Sequence, residues 1–387
     1  MESTRRFLVL AGDRAIHLDP TAADAHYRRA LELLPAEHPG WPAVRFKGAW
    51  AALAAGQTDA AGKAYEEAIS ASLKLGDHRA AGGAKAQLAN LYRDRGDTAS
   101  ARALAQEAFA LLRDGGPCVE LAHALDFLAF QAWMTGRSAE ALRWSTWMLE
   151  IADATGLDEL RGHGLMMRGQ ARLDLDDPTG LEDVTSAVAV TRAVLDQGDT
   201  TVHGSWQLLN WQDNLAEALW LVDGTAAALN AAREAEQIAA QRGLLHPLTA
   251  IRADGLKVLF DAGRWEELLR TAREVSSQRA AHGGDYWRVL ADIQRARVLV
   301  CRGELTSAAG LVAPALPRAR SIGDLQVFGL VLEVAASLLL AEGRPHEAAT
   351  RVRKFAGVAV RAPSRRAWHL PALVRVCTAA GELVPRL

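Results

Sequence analysis

The chain has 387 residues, of which 50% are hydrophobic but only 6% are aromatic, because alanine and leucine dominate. These residues are strong helix formers and alternating runs of Val, Ile and Thr are missing, so the composition predicts an all-helical protein and argues against a β-sheet fold. A net charge of −2 provides no strong field for nucleic acid or an anionic membrane, and three distant cysteines indicate neither a disulfide framework nor a CxxC metal site.

The first strong pattern is the segment AGQTDAAGKAYEEA at residues 55–68, which has the look of a nucleotide-binding loop. A Walker loop requires a glycine, four residues and then Gly-Lys-Ser/Thr. Here Gly56 and Gly62 are separated by five residues, Lys63 is followed by alanine, and no hydrophobic strand precedes the segment. It therefore predicts the turn of a helical hairpin and no phosphate site.

The same turn recurs along the chain at intervals of about 40 residues. A glycine is followed two residues later by Thr or Ser and five residues later by alanine, at Gly56, Gly96 and Gly136. Weaker copies continue the series at Asp176, Asp223, Gly263, Gly303 and Gly343. Glycine ends one helix in the left-handed conformation, and we expect the Ser or Thr two residues later to cap the next helix. Such a period indicates stacked structural repeats.

These turns divide the chain into paired helices. The first helices of the pairs are predicted at 2–16, 41–55, 79–95, 120–135, 157–174, 200–222, 245–262, 285–302 and 325–342, and a last helix at about 366–380 caps the end. The repeats are predicted near 1–40, 41–78, 79–118, 119–156, 157–199, 200–244, 245–284, 285–324 and 325–363, with a cap at 364–387 and a single domain over 1–387. The predicted fold is an all-α, right-handed α-solenoid of about nine hairpins.

Most turns have a small residue seven positions before the turn residue and another five positions after it. An aromatic or aliphatic residue lies four positions before the turn residue. This last position holds Tyr92, Leu219, Leu259, Leu299 and Leu339. The pattern resembles the tetratricopeptide repeat, which is usually about 34 residues long, and the helices of this chain are longer. The resemblance implies a right-handed superhelix in which the first helix of each pair lines a concave face.

Three segments carry a second resemblance: residues 12–39, GLEDV at 180–184 and NLAEALWLVDGTAAAL at 214–229. They are similar to the C-terminal repeat region of actinobacterial signalling proteins that join a class III nucleotide cyclase to an ATPase. Those proteins carry their chemistry upstream of the repeats, whereas the repeats of this sequence begin at its first residue. We therefore expect neither cyclase nor ATPase activity. With the cysteine usage, the resemblance implies a cytoplasmic bacterial regulator.

The resemblance to tetratricopeptide repeats implies that residues 13, 10, 6 and 3 before each turn face the concave groove. The binding-site candidates chosen in this way are Trp50, Asn90, Arg93, His123, Asp126, Phe130, Trp133, His163, Gln170, Asn210, Asp213, Glu217, Trp220, Lys257 and Arg297. The same rule also selects Met166 and Leu173. Aromatic residues provide contact area and polar groups fix orientation, as a peptide groove requires. Alternatively, Trp133 and Trp220 fill space between long helices.

His123, His163 and His203 are spaced by 40 residues, which suggests a ladder of metal ligands. Equivalent helices of successive repeats would lie two interaxial distances of about 8–10 Å apart, whereas zinc requires ligands within about 2 Å. We therefore expect no shared metal ion. No sequence motif indicates a cofactor.

The leading functional hypothesis is a non-catalytic scaffold or sensor that binds a protein or peptide, with a small regulatory ligand as an alternative, in bacterial signalling or transcription control. A second hypothesis is an enzyme that uses His123, Asp126, Asp213 or Glu217 as acid and base. The near-neutral charge disfavours a nucleic-acid-binding array. A membrane partner is not expected, because the most apolar stretch, at 327–341, is too short to span a bilayer. The sequence leaves the oligomeric state open.

Overall fold

The computed structural model describes residues 2–16, 18–95, 97–196, 202–241, 244–277, 284–322, 325–359, 372 and 374–381. These residues form eighteen α-helices and a further helical segment at 374–380, and no β-strand occurs among them. The all-α prediction is therefore confirmed. Within this described part of the chain, no helix combines the length and apolar character needed to cross a membrane.

The helices follow one another as hairpins. Their bounds are α1 Glu2–Ala15, α2 Pro20–Glu32, α3 Trp41–Ala54, α4 Thr58–Lys74, α5 His78–Asp94, α6 Thr98–Leu112, α7 Val119–Met134, α8 Ser138–Thr155, α9 Asp158–Asp174, α10 Gly180–Asp196, α11 Val202–Val222, α12 Thr225–Gln241, α13 Leu245–Asp261, α14 Trp265–Ser277, α15 Gly284–Cys301, α16 Leu305–Ile322, α17 Leu325–Ala341 and α18 Pro345–Ala359. The odd-numbered helices are the predicted first helices, and each agrees with its predicted bounds to within two residues.

Contacts between Cα atoms divide the chain into two compact units. Unit 1 comprises Met1–Trp133 and Glu140–Met167, and unit 2 comprises Met134–Ala139 and Arg168–Leu387. We describe each unit by itself. The expected single domain over 1–387 and its repeat boundaries stay predictions.

In unit 1, helices α1 to α6 pack against one another in chain order, and α3 also contacts α5. Buried side chains fill the space inside and between the hairpins. Tyr27 lies in the core of the first hairpin and Tyr65 in that of the second. Leu125 and Met148 belong to a core shared by α5 to α9. Burial of apolar side chains such as these is the main force that holds neighbouring hairpins together.

In unit 2, helices α10 to α18 pack in chain order, and the first helices α11, α13, α15 and α17 also contact each other in sequence. Leu256, Leu268 and Ile293 are buried in a core shared by α13 to α17. The predicted capping helix at 366–380 lies largely outside the described residues. Within its described part, Val376 and Cys377 are buried against α17 and α18.

The turn between α3 and α4 has the predicted left-handed glycine. Gly56 adopts a φ of 77°, which is unfavourable for residues that carry a Cβ atom. Gly96, the next position of the series, lies outside the described residues. At the following weak copy Asp176 replaces glycine with a φ of 62°, and it is the one non-glycine residue with positive φ in the described chain. Asp tolerates this conformation better than most residues.

The predicted Ser/Thr caps are wrong by one residue. Thr58, Thr98 and Ser138 are the first residues of α4, α6 and α8, so their backbones are already helical. The N-cap positions of α4 and α6 belong to Gln57 and Asp97. Asp97 accepts a hydrogen bond at 3.1 Å from the backbone N–H three residues later, as an N-cap does. The predicted caps were misplaced because the turn is short: a single residue separates the turn glycine from the first helical residue.

Small residues flank the turns where paired helices approach closely. Ala49 and Ala61 are both fully buried. In the α9–α10 hairpin, Gly169 lies seven residues before the turn and Gly180 four residues after it, and a Cβ atom added to Gly169 would lie 2.7 Å from the carbonyl oxygen of Gly180. No larger residue fits there without separating the two backbones.

Candidate binding faces

The candidate residues lie on first helices in both units, and we call the two sets face 1 and face 2. Face 1, in unit 1, comprises Trp50, Asn90, Arg93, His123, Asp126, Phe130, Trp133 and His163. Face 2, in unit 2, comprises Gln170, Asn210, Asp213, Glu217, Trp220, Lys257 and Arg297.

An acid–histidine pair joins two helices on face 1. The Nδ1 atom of His163 on α9 lies 3.6 Å from Oδ1 of Asp126 on α7, with the two side chains 25% and 31% exposed. His123 lies on the same helix as Asp126, three residues before it. The structure therefore brings these three predicted residues together.

The protonation states on face 1 follow from burial and this pairing. Burial lowers the pKa of His163, but the charge and hydrogen bond of Asp126 outweigh burial and raise it above its ordinary value. Burial raises the pKa of Asp126, but the charge and hydrogen bond of His163, with the charge of Arg93, lower it overall. For His123, burial dominates and lowers the pKa. The result favours a His163–Asp126 ion pair beside a neutral His123.

Aromatic side chains also lie on face 1. The Arg93 guanidinium on α5 lies 5.5 Å from the centroid of Phe130 and 5.7 Å from that of Phe127, within reach of cation–π attraction. Phe130 and Trp133 have ring centroids 6.2 Å apart. Trp50 on α3 is 43% exposed. Together they give face 1 partly exposed aromatic surface next to charged groups.

On face 2, an amide chain connects α9 to α11. The side-chain amide of Gln170 is buried and donates a hydrogen bond to Oδ1 of Asn214 at 3.2 Å. Asn214 in turn donates to the backbone carbonyl of Asn210 at 2.8 Å, and the Asn210 side chain is exposed. Gln170 thus positions Asn214 from within, while Asn210 is accessible to a ligand.

The centre of face 2 is an ion pair framed by an aromatic ring. The Nζ atom of Lys257 on α13 donates to Oε2 of Glu217 on α11 at 2.9 Å. The same ammonium lies 5.9 Å from the ring centroid of Trp220. Burial lowers the pKa of Lys257, but the carboxylates of Glu217, Asp254 and Asp213 outweigh it and raise the pKa. Lys257 is therefore held as a cation.

Asp213 on α11 is hydrogen-bonded to Asp254 on α13. Burial and the neighbouring carboxylate of Asp254 raise the pKa of Asp213 well above its ordinary value, although Lys257 acts in the opposite direction. Two carboxyl groups so close cannot both ionise cheaply, so Asp213 releases its proton at a higher pH than an isolated aspartate does. Face 2 thus combines a carboxyl group with a raised pKa, the carboxylate of Glu217 and the ammonium of Lys257.

Arg297 on α15 connects three first helices. Its guanidinium carbon lies 3.8 Å from the ring centroid of Phe260 on α13. Its Nη2 atom lies 3.8 Å from Asp261 on α13 and 3.9 Å from the buried Glu333 on α17. Burial raises the pKa of Asp261, and Glu333 adds to this effect while Arg297 opposes it.

The sequence rule missed several residues that contact the predicted ones. They are Asn214, Asp254, Phe260, Asp261 and Glu333. Asp254 follows Asp213 by 41 residues, so a search at the strict 40-residue period passes over it. The rule also selected two residues that are buried in the core, Met166 and Leu173. Both are apolar, so burial stabilises them more than exposure would.

The premise used against a shared metal ion was also wrong. First helices of successive repeats are direct neighbours, as the contact of Glu217 with Lys257 and the approach of His163 to Asp126 show. Residues 40 apart can therefore meet. Even so, the described residues contain no group of three or more His, Cys, Asp or Glu side chains arranged to hold a metal. The side chain of His203 lies outside that description.

Comparison with known proteins identifies the fold. No family model and no curated protein sequence matches the chain. Among solved structures, a Rap protein complexed with competence and sporulation factor aligns with 98% of this chain and 99% of its own, at 12% identity and a TM-score of 0.56. The quorum sensor NprR in complex with its cognate peptide NprX aligns with 77% of this chain and 84% of its own, at 12% identity and a TM-score of 0.53.

A third similar structure is a signal transduction ATPase with a tetratricopeptide repeat sensor from Pyrococcus horikoshii. It aligns with 84% of this chain and 50% of its own, at 17% identity and a TM-score of 0.54. The fold is that of tetratricopeptide-like repeats. At these identities the likeness concerns the backbone arrangement, because fold similarity alone does not carry function.

Proposed function

We propose that this tetratricopeptide-like chain is a non-catalytic scaffold or sensor that binds a peptide or a segment of a partner protein along its first helices. A small regulatory ligand is the alternative occupant. The observation that carries the proposal is the set of cross-helix contacts on face 2, where the partly exposed side chains of Glu217, Lys257 and Trp220 meet between neighbouring first helices.

This arrangement suits an extended chain. Peptides present backbone amides, charged ends and side chains at regular intervals, and a binding surface must offer polar partners between areas of apolar contact. Face 2 offers amides at Asn210, charges at Lys257 and Glu217, and an aromatic ring at Trp220. Side chains already fixed by ion pairs lose less conformational entropy on binding.

The structural neighbours support a peptide or protein partner. The Rap structure contains competence and sporulation factor, and the NprR structure contains a cognate peptide. The third neighbour is a signalling ATPase in which tetratricopeptide repeats form the sensor. Together with the sequence resemblance to actinobacterial cyclase/ATPase regulators, these proteins support our proposal of a cytoplasmic role in bacterial signalling or transcription control.

An enzyme remains a second candidate because of one observation on face 1. The pKa of His123 is lowered by burial, and a neutral imidazole beside Asp126 could accept a proton. The raised pKa of His163 supports the binding role instead, because an ion-paired imidazolium is a poor base. Turnover of a hydrolase or lyase substrate panel that is lost in His123→Gln would establish the enzyme.

Random-peptide display on the purified chain tests the proposed function. Selected peptides are then titrated by fluorescence anisotropy against wild type and two face variants, Asp126→Asn with Trp133→Leu and Lys257→Met with Trp220→Leu. We expect at least one face variant to bind about tenfold or more weakly, since interface hot spots each contribute more than about 1 kcal/mol.

The control carries Arg233→Met and Trp147→Leu, which change one cation and one tryptophan on second helices. It should bind as wild type, and circular dichroism should show unchanged helix content in all variants. If display yields no peptide with saturable binding, or if both face variants bind as tightly as wild type, the proposed function is wrong.

A further inference from the structure

Unit 1 contains a cleft of about 450 Å³, a volume within the range of about 300–1,000 Å³ that is usual for ligand pockets. Ala43, Phe46 and Trp50 of α3 line it, at 13, 10 and 6 residues before Gly56. Helix α5 contributes Gly83. The cleft therefore lies on the surface that the repeat pattern assigns to ligand contact. Only Trp50 of these lining residues is among the candidates predicted from sequence.

The room in the cleft arises from small residues at one repeat position. Thirteen residues before the turn, α7 and α9 carry His123 and His163, whereas α3 and α5 carry Ala43 and Gly83. The two preceding hairpins thus lack a large side chain at the position that holds an imidazole in α7 and α9, although Glu120 takes part of this space, since a Cβ atom on Gly83 would lie 2.8 Å from its Cγ atom. The ring of Phe46 is held in place on one side of the cleft, because it packs edge-to-face on the buried Tyr65 with ring centroids 5.6 Å apart.

The charged groups beside the cleft already have partners. Asp13 accepts hydrogen bonds from the Tyr27 hydroxyl and from Lys47, each at 2.7 Å. Glu120 accepts one from Nε of Arg79 at 2.8 Å. A charged occupant would have to break one of these ion pairs or enter without a counter-charge. An uncharged occupant with a large apolar surface leaves them intact.

We propose that this cleft holds an aromatic residue of a bound peptide, with its ring against Trp50 and Phe46. The inference rests on the proposed peptide-binding function and adds a side-chain preference to it. Aromatic side chains have few rotatable bonds and a large contact area, and two ring walls favour them over aliphatic side chains in the edge and offset-stacked geometries that rings prefer.

The test uses single residues as probes and so does not depend on finding the natural peptide. N-acetyl-L-tryptophanamide and N-acetyl-L-leucinamide are titrated into the full chain and followed by saturation-transfer NMR. We expect saturable binding of the tryptophan probe, with the leucine probe at least about fivefold weaker. An absence of saturable tryptophan binding, or equal or tighter binding of leucine, would overturn the pocket.

Two variants locate the binding. Ala43→Phe fills the cleft from an exposed position, and Trp50→Ala removes a wall that is itself partly exposed. Each variant should bind the tryptophan probe at least about tenfold more weakly than wild type does. The control is Ala54→Phe, an exposed alanine on the same helix that does not line the cleft. If binding is unchanged in a folded Ala43→Phe or Trp50→Ala variant, the inference fails.

The result is separable from the proposed function. A display-selected peptide that binds wild type and Ala43→Phe equally well would overturn the aromatic pocket and leave peptide binding in place. Tryptophan binding that Ala43→Phe abolishes, in a chain for which display yields no peptide, would support the pocket and overturn the peptide function.

Discussion

Glu217 and Lys257 are 40 residues apart in sequence, and their charged atoms meet at 2.9 Å across helices α11 and α13. Residues that lie one repeat period apart in the sequence can therefore contact each other in the structure. Residues at equivalent positions of successive first helices become neighbours because those helices pack side by side. The charge of Glu217 is thus matched by a residue of the next repeat, so this contact of face 2 depends on the order of the repeats.

Replacing Lys257 with methionine should destabilise the protein by about 2–3 kcal/mol at pH 7. The change leaves Glu217 without its ammonium partner at a site where both side chains are mostly buried, and breaking such a pair costs more than removing an exposed one. Urea unfolding followed by circular dichroism measures the loss. Arg233→Met on α12, an exposed arginine, is the control and should change stability by less than about 0.5 kcal/mol. Equal losses in the two variants would contradict our account of face 2.

Asp213→Asn should become more stabilising, relative to wild type, as pH rises. Because the folded pKa of Asp213 is raised, the folded state binds a proton more tightly than the unfolded state, whose pKa is about 3.9. Wild type therefore loses stability as pH rises from about 4 through the folded pKa, whereas the amide does not titrate. We expect the difference between the variant and wild type to change by at least about 1 kcal/mol between pH 4 and pH 8.

The control for this prediction is Glu182→Gln, an exposed carboxyl on α10 of the same unit. Its stability difference from wild type should stay nearly constant over the same pH series. A flat difference for Asp213→Asn as well would show that Asp213 ionises normally.

His163→Gln should show a pH dependence of the same sign, but at higher pH, because the unfolded pKa of histidine is higher than that of aspartate. The folded pKa of His163 is raised, so its contribution to stability is complete below the unfolded pKa of about 6.5 and is lost as pH rises through the folded value. Asp126, whose pKa is lowered, stays ionised over this range. We expect the free energy of unfolding of the variant to be lower than that of wild type by about 1 kcal/mol near pH 5.5 and by much less at pH 9. Unfolding at both pH values tests this, with the exposed His78→Gln as control.

Two glycine-to-alanine substitutions should act in opposite directions. Gly169→Ala would place a Cβ atom 2.7 Å from a carbonyl oxygen, and we expect a loss of about 1–3 kcal/mol. Gly255→Ala, in the middle of α13, meets no atom within 4 Å and should gain about 0.5–1 kcal/mol, because alanine favours the helix. Thermal unfolding measures both changes. A loss at Gly255 as large as at Gly169 would refute the close approach.

The sequence predicted most of the fold because one local signal repeats. A left-handed turn residue such as Gly56 has few alternatives, and its spacing fixed each first helix to within two residues. The caps were misplaced because Thr58 and Gln57 are adjacent in a short turn, and residue preference alone does not locate the first helical backbone conformation.

The binding faces were less predictable because they depend on contacts between helices. The periodic rule found Glu217 and Lys257, whose positions are equivalent, but it missed Asp254, which is displaced by one residue. It also placed Met166 on the surface, although this residue is fully buried. The relative rotation of two packed helices decides such cases, and no pattern within either helix specifies it.

The equivalent positions of α11, α13 and α15 carry Glu217, Lys257 and Arg297, one anion followed by two cations. Deleting the 40 residues 257–296 would move Arg297 into the sequence position that Lys257 now occupies. A cation would then again lie opposite Glu217. Deleting a few residues within α13 would instead rotate the ammonium away from its carboxylate. Gene rearrangements that remove or duplicate a complete 40-residue repeat should therefore be tolerated far better than small insertions. The number of repeats can then change while the ion pairs between neighbouring first helices are kept.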